Sequence, residues 1–326
     1  MAASGATNSE SALAIAAGSK AAPAAATGNA AGNAANSEAA AEGSTSTSNI
    51  TAVRDNAPTV LEVSQPMELV LGNKYGLVDY SNSSQGYIQV CSYLAEAQMK
   101  VLVNTPDGRL YQYALEQPGE FVTIPLNGGN GSYQVELYGH ISANLYKRLA
   151  GGTISVQLDD ELLPYLYPNQ RVDFDQGDAV SALSAEITAD ATSDLQAADE
   201  IYRWVLANID YDVVKAEQVT YGYITSCAQT LLSKQGICVD YAALTVAMLR
   251  AQGIPAKVVV GYYGDTYHAW VEVWLEKGGV GASGQLYQAQ GWTLLDPTTQ
   301  AQLAQQAEAS PGSIILSQPY QPMLEY

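Results

Sequence analysis

The spacing of apolar residues changes once along this chain, and that change limits what it can fold into. Between about residues 59 and 158 the period is two. Tyr133, Val135 and Leu137 alternate with Gln134 and Glu136, and Ile154, Val156 and Leu158 alternate with Ser155 and Gln157. Such alternation puts one face of a strand in a core and the other toward water. Thr105-Pro106-Asp107-Gly108 and Asn127-Gly128-Gly129-Asn130-Gly131 supply turns between the runs, because Pro presets the first turn position and Gly and Asn tolerate positive φ. Short strands at this spacing predict an antiparallel β-sandwich over 58–160. After Pro164 the period becomes helical. Leu195, Ala198, Ile201, Val205 and Ile209 form one stripe behind Ser193, a second helical stretch covers 226–233, and a third runs from near Cys238 to Gln252, where Gly253 and Pro255 stop it. Strands return at 257–262, 268–275 and 291–295. Helices followed by antiparallel strands predict an α+β domain over 161–326.

The first 57 residues fit neither pattern. Alanine dominates, Ser, Gly, Asn and Thr interrupt it, and no aromatic residue occurs before Tyr75. A segment with so little apolar side chain cannot offset its ordering entropy and is expected to be a disordered tether. It has neither the basic start nor the apolar core of a secretory signal. The expected setting is extracellular or at the cell surface, with an export signal that this sequence does not contain; a cytoplasmic tail is the alternative. Lysine and arginine number 14 against 33 acids, a net charge of -19. That balance argues against nucleic acid and anionic membranes as partners. No run of 18 apolar residues is present, so no bilayer-spanning helix is expected.

Two histidines and three cysteines leave few options for chemistry. His140 stands at a strand end with no acid or cysteine at a telling spacing, and reads as a surface or core-edge residue. Cys238 stands where the third helix begins. Unpaired backbone N–H groups and the positive end of the helix dipole favour a thiolate at such a position and can hold an oxyanion. Strand alternation over 268–275 separates Ala269, Val271, Val273 and Leu275 from His268, Trp270, Glu272 and Trp274. The histidine therefore lies on the face away from the deep core, among aromatic residues able to wall a groove. Asp296 closes the last of these strands and is followed by Pro297. A carboxylate there can fix an imidazole tautomer, although in isolation an ordinary Asp-Pro turn start is the preferred account of it.

Gly236-Ile237-Cys238-Val239-Asp240-Tyr241-Ala242, Gly253-Ile254-Pro255, Tyr267-His268-Ala269-Trp270 and Gly291-Trp292-Thr293-Leu294-Leu295-Asp296-Pro297-Thr298 resemble the bacterial transglutaminase-like domain in content and order. Residues 197–212 look like the helix that opens it. The resemblance covers about residues 165 to 300. It implies a papain-like core, with Cys238 as nucleophile, His268 as general base and acid, and Asp296 as the orienting carboxylate. Many relatives carry a basic residue where this chain has Val239, so no bound anion is implied there. Papain-like enzymes add a side-chain donor to the oxyanion hole, for which Tyr223 and Gln229 are the candidates. Trp270 and Tyr241 are the groove candidates. Asp240 is expected to complement the helix start. Cys91 and Cys227 either pair or stay buried and reduced, the second being preferred.

The function expected is thiol-dependent acyl transfer or hydrolysis on a peptide or carboxamide through a thioester, with hydrolysis placed ahead of protein crosslinking. The substrate partner is a peptide or protein, including one attached to a cell wall. No cofactor and no metal are expected, because the triad already supplies nucleophile, base and orienter and no EF-hand-like loop occurs. The rival is a non-catalytic cell-surface binding or structural module that retains the fold.

Overall fold

The computed structural model describes residues 54–94, 99–142, 145–220, 222–307 and 319–326. The tether expected over 1–57 lies outside the described residues as far as residue 53. Residues 54–57 depart from that expectation, because they are pinned to the helical region. The Arg54 guanidinium donates to Asp194 Oδ1 at 2.8 Å and to the Gln252 carbonyl at 2.7 Å. Asn56 Nδ2 donates to the Ala189 and Ala191 carbonyls.

Two four-stranded antiparallel sheets form the first part of the unit. One has the order β1 (Val70–Asn73), β2 (Gly76–Asp79), β3 (Tyr87–Ser92), β6 (Val122–Pro125); the other has the order β5 (Leu110–Leu115), β4 (Met99–Asn104), β7 (Gly131–Ser142), β8 (Leu145–Val156). The period-two residues behave as their spacing requires. Tyr133, Val135, Leu137, Ile154, Val156 and Leu158 are all buried, and they join Val78, Ile88, Val90, Val101 and Val103 in one core. The Thr105–Gly108 turn is closed by the Gly108 N–H donating to the Thr105 carbonyl.

The helical part follows as α1 (Ala179–Ile187), α2 (Asp194–Asn208), β9 (Asp210–Tyr211), α3 (Val213–Gln218), α4 (Cys227–Ser233), β10 (Gln235–Gly236) and α5 (Cys238–Ala251). Ser193 and Ser226 cap α2 and α4 by accepting N–H bonds from Gln196 and Gln229, which is the capping chemistry their position in the sequence announces. α5 is buried at every position from Asp240 to Ala251, so it is the central helix rather than an amphipathic one.

A third antiparallel sheet lies against α5. Its order is β15 (Gly291–Leu295), β12 (Thr266–Leu275), β11 (Ala256–Tyr263), β16 (Tyr320–Glu325). Ala269, Val271, Val273 and Leu275 are buried as expected. A short hairpin, β13 (Gly279–Val280) with β14 (Leu286–Tyr287), hangs between β12 and β15. Its tip is held by Asp199, which accepts from the Ser283 backbone and side chain and from the Tyr287 hydroxyl. Two elements were not anticipated: α6 (Pro297–Ala307) and β16. Asp296 caps α6 by accepting from the Thr299 N–H at 2.9 Å. An Asp followed by Pro at the first helical position is a helix start as well as a turn start.

Candidate active site

Cys238 is the first residue of α5 and is partly exposed. The helix begins there because Ile237 is extended (φ -99°, ψ -179°) and the Asp240 carboxylate turns back to accept its N–H at 2.9 Å. Asp240 is fully buried and also accepts from Lys215 Nζ at 2.6 Å, Tyr223 Oη at 2.8 Å and Thr225 Oγ1 at 2.5 Å. One carboxylate therefore ties the loop before α4 to the start of α5. Gly236 precedes because a Cβ there would stand 2.6 Å from the Asp240 Cβ. Beneath it, β9 and β10 pair in parallel with Tyr211 opposite Gly236. This register brings Tyr211 near enough to Cys238 for the sulfur's charge to push the phenol pKa up, second to burial.

His268 lies near the start of β12, opposite Gly261 of β11. Its Nε2–H donates to Asp296 Oδ2 at 2.8 Å, and the Cys238 side chain lies near enough to act on the ring. The bond to Asp296 leaves Nδ1 for the sulfur. His268 is 8% exposed and Asp296 1%. Burial disfavours the imidazolium, but Asp296 and the Cys238 sulfur more than offset it and carry the pKa up from 6.5 to about 10. Burial likewise works against the Asp296 carboxylate, and donation from His268, the Thr299 N–H and Tyr320 brings it below its ordinary 3.8. A thiol, an imidazole and a carboxylate thus stand in one line, with the imidazole hydrogen-bonded to the carboxylate. Such a line can activate the sulfur, hold the imidazole in one tautomer and stabilise its charged form.

The other expected site residues fall elsewhere. Tyr223 gives its hydroxyl proton to Asp240, so none is left for an oxyanion. Gln229 is exposed on α4, because the Ser226 cap turns Cys227 and Thr230 inward instead. Trp270 does share a face with His268, but it is wholly buried under Tyr320 (ring centroids 5.0 Å apart), so it walls no open groove. Tyr241 is 1% exposed and donates its hydroxyl to the Ile209 carbonyl, which makes it a core residue. His140 lies on β7 with its ring edge-on to Tyr146. Cys91 on β3 and Cys227 on α4 are buried free thiols. Tyr320, which sequence reasoning missed, donates to Asp296 Oδ2 at 2.7 Å.

Among the described residues no group of three or more His, Cys, Asp or Glu is arranged to hold a metal, and no helix is long and apolar enough to cross a membrane.

A central helix that starts on a cysteine, backed by an antiparallel sheet that carries the histidine and ends at the aspartate, makes this an α+β domain. The sequence profile of the transglutaminase-like superfamily matches residues 181–297, which marks that stretch as a transglutaminase-like domain. The chain is 32% identical over 111 residues to a protein-glutamine gamma-glutamyltransferase of Pseudomonas aeruginosa, a stretch that is 28% of this chain and 15% of that protein. It is 29% identical over 116 residues to an uncharacterised protein of Mycobacterium leprae, covering 32% of this chain and 35% of the other. The chain thus spans well under half the length of either curated relative. Among solved structures, a candidate cysteine protease from Cytophaga hutchinsonii aligns at 17% identity and TM-score 0.35, over 65% of this chain and 78% of that one. Red sea bream transglutaminase aligns at 14% identity and TM-score 0.30, over 65% and 47%.

Proposed function

We propose that this protein is a thiol-dependent acyl-transfer enzyme whose first half-reaction forms a thioester on Cys238 from a peptide or carboxamide substrate. The single observation that carries the reading is the line from Cys238 to His268 to Asp296, in which the imidazole is bonded to the carboxylate and electrostatically coupled to the sulfur. His268 takes up the Cys238 thiol proton as the attack begins, which leaves an imidazolium beside the sulfur. Sulfur attacks the carbonyl carbon, and the oxyanion develops beside the N–H groups of Cys238 and Val239 in the first turn of α5, which have no intrahelical acceptor. Tyr211, paired opposite Gly236 and near enough to feel the charge of the Cys238 sulfur, is the candidate for a side-chain donor. The C–N bond then breaks as the imidazolium gives its proton to the departing amine. In the second half-reaction the neutral imidazole takes a proton from water, the oxygen attacks the thioester, and the C–S bond breaks to release an acid and restore the thiol. An amine in place of water completes a transfer with the same proton movements.

Hydrolysis is placed ahead of crosslinking. Transfer to an amine is the reading that the name of the Pseudomonas relative favours. The test is incubation with glutamine- and asparagine-containing peptides, with and without a primary amine, followed by mass spectrometry. Cleaved peptide or free ammonia without amine incorporation supports a hydrolase, and a peptide–amine adduct supports a transferase. Turnover that survives Cys238→Ala, or its complete absence from the wild type, defeats the acyl-transfer reading. An outward-facing cellular location belongs to the same proposal.

A further inference from the structure

Asp296 uses one oxygen twice. Its Oδ2 accepts from His268 Nε2 at 2.8 Å and from the Tyr320 hydroxyl at 2.7 Å, while Oδ1 accepts from the Thr299 N–H at 2.9 Å. At 1% exposure the carboxylate has almost no water to share its charge with, so these protein donors set it. Tyr320 comes from β16, an edge strand distant in sequence from the helix that bears the thiol. The strand reaches the site because β11 carries Gly261, where a Cβ would stand 2.0 Å from the Gln321 carbonyl oxygen. The register of β16 against β11 shifts at the same place, between Val260 and Gly261. Once there, the Tyr320 ring is fixed on two sides, by Tyr263 with centroids 4.8 Å apart and by Trp270 at 5.0 Å. A phenol held this firmly, with its hydroxyl on the carboxylate, is built for that one contact.

Resting on the acyl-transfer reading above, we propose that Tyr320 is a positioning residue: it holds Asp296 in line with His268 and takes up part of the carboxylate charge, which keeps the imidazolium a strong enough acid to protonate the departing amine. Without the phenol, the same oxygen turns its full charge on the imidazolium. The ring then holds its proton more tightly, and the step that needs the proton released slows. The groups facing this carboxylate are His268 and Tyr320 on Oδ2 and the α6 start at Thr299 on Oδ1. Tyr263 and Trp270 add only ring contacts, and Tyr202 is charge-coupled to Asp296 from α2. No acid or base from another element faces it among the described contacts.

The chain has two histidines, so 15N-histidine labelling of the full-length protein gives two sets of ring signals, and His140→Gln assigns them. The test follows the His268 ring against pH in wild type, Tyr320→Phe and Tyr263→Phe. Tyr320→Phe keeps the ring contacts and loses only the hydroxyl. Its His268 midpoint is expected to rise by about half a unit or more, since a donor to the charged carboxylate has been removed. Tyr263→Phe, which touches Tyr320 only through its ring, is expected to leave the midpoint in place. The rate of acyl-enzyme formation in Tyr320→Phe is expected to fall about three- to tenfold. A His268 midpoint that is unmoved or lowered in Tyr320→Phe, with the native thermal transition retained, overturns the proposal and leaves Tyr320 a packing residue. The titration needs no substrate, so it stands apart from the functional reading. That reading fails separately if wild-type Cys238 is alkylated no faster than a model thiol.

Discussion

Two helices of this protein begin on a cysteine, and only one of the two sulfurs faces a histidine. Cys227 opens α4 and Cys238 opens α5. Both sulfurs stand at the positive end of a helix, yet their surroundings oppose each other. At α4, Asp173 accepts from the Cys227 N–H at 2.7 Å and from the Ser226 hydroxyl at 3.1 Å. Its negative charge lies against a thiol with no exposure, and burial with that charge pushes the Cys227 pKa well above the ordinary 9.0. At α5 the capping carboxylate is Asp240. Its charge is taken up by Lys215, Tyr223, Thr225 and the Ile237 N–H, and the thiol faces an imidazole. A helix N-terminus contributes only a modest, short-range field. The identity of the neighbouring side chain decides whether the sulfur becomes inert or nucleophilic.

The largest effect that tests this contrast is alkylation. Mapping iodoacetamide adducts on the native protein at pH 7 is expected to place label on Cys238 and none on Cys227. His268→Asn is expected to slow Cys238 labelling by about a hundredfold. Equal labelling of the two cysteines breaks the comparison. A smaller effect concerns stability. His268 has its pKa raised from 6.5 to about 10, so the pair's contribution is complete below pH 6.5 and is lost as pH rises through 10. Asp296 lies below 3.8, so its contribution is present above that pH and is lost as pH falls through the lowered value. Asp296→Asn is therefore expected to cost most between about pH 4 and 6.5, on the order of 3 kcal/mol by denaturant titration. A loss that does not vary with pH separates this carboxylate from the imidazole. The smallest effect belongs to α4. Asp173→Asn removes a charged partner of the helix start and is expected to cost about 1 kcal/mol while Cys227 stays unlabelled, because burial still protects it.

Much of this site was legible because its signals are local. A cysteine after Gly236 at a helix start, a histidine on the alternating face of a strand and an aspartate before a proline each mark their own backbone. Covering and sharing were not legible. Alternation gave the face of Trp270 correctly but not what lies over it, since Tyr320 stands opposite Tyr263 only through the pairing of β16 with β11. Nearness in sequence drew attention to Tyr223, yet Asp240 takes its proton, and that competition exists only after the loop before α4 has folded against α5. At residues 54–57 composition gave no sign of order. The order comes from one guanidinium reaching Asp194 and Gln252, 140 and 198 residues away. The helix α6 is not announced by its sequence, because Asp-Pro opens a turn as well as a helix.

Arg250 is fully buried near the end of α5 and is satisfied by backbone alone. It donates to the carbonyls of Ala256, Tyr167 and Tyr326, at 2.9, 2.7 and 3.0 Å. One planar cation thus fastens the segment after β8, the start of β11 and the end of β16 to the helix that carries the thiol. Because a carbonyl is common to every residue type, this rivet does not depend on which side chains occupy the three positions it grips. What fixes the side chains at those positions is their own packing, since Ala256, Tyr167 and Tyr326 are all buried. The fork at 250 is not free to vary, since a lysine has no planar array of donors with which to span all three.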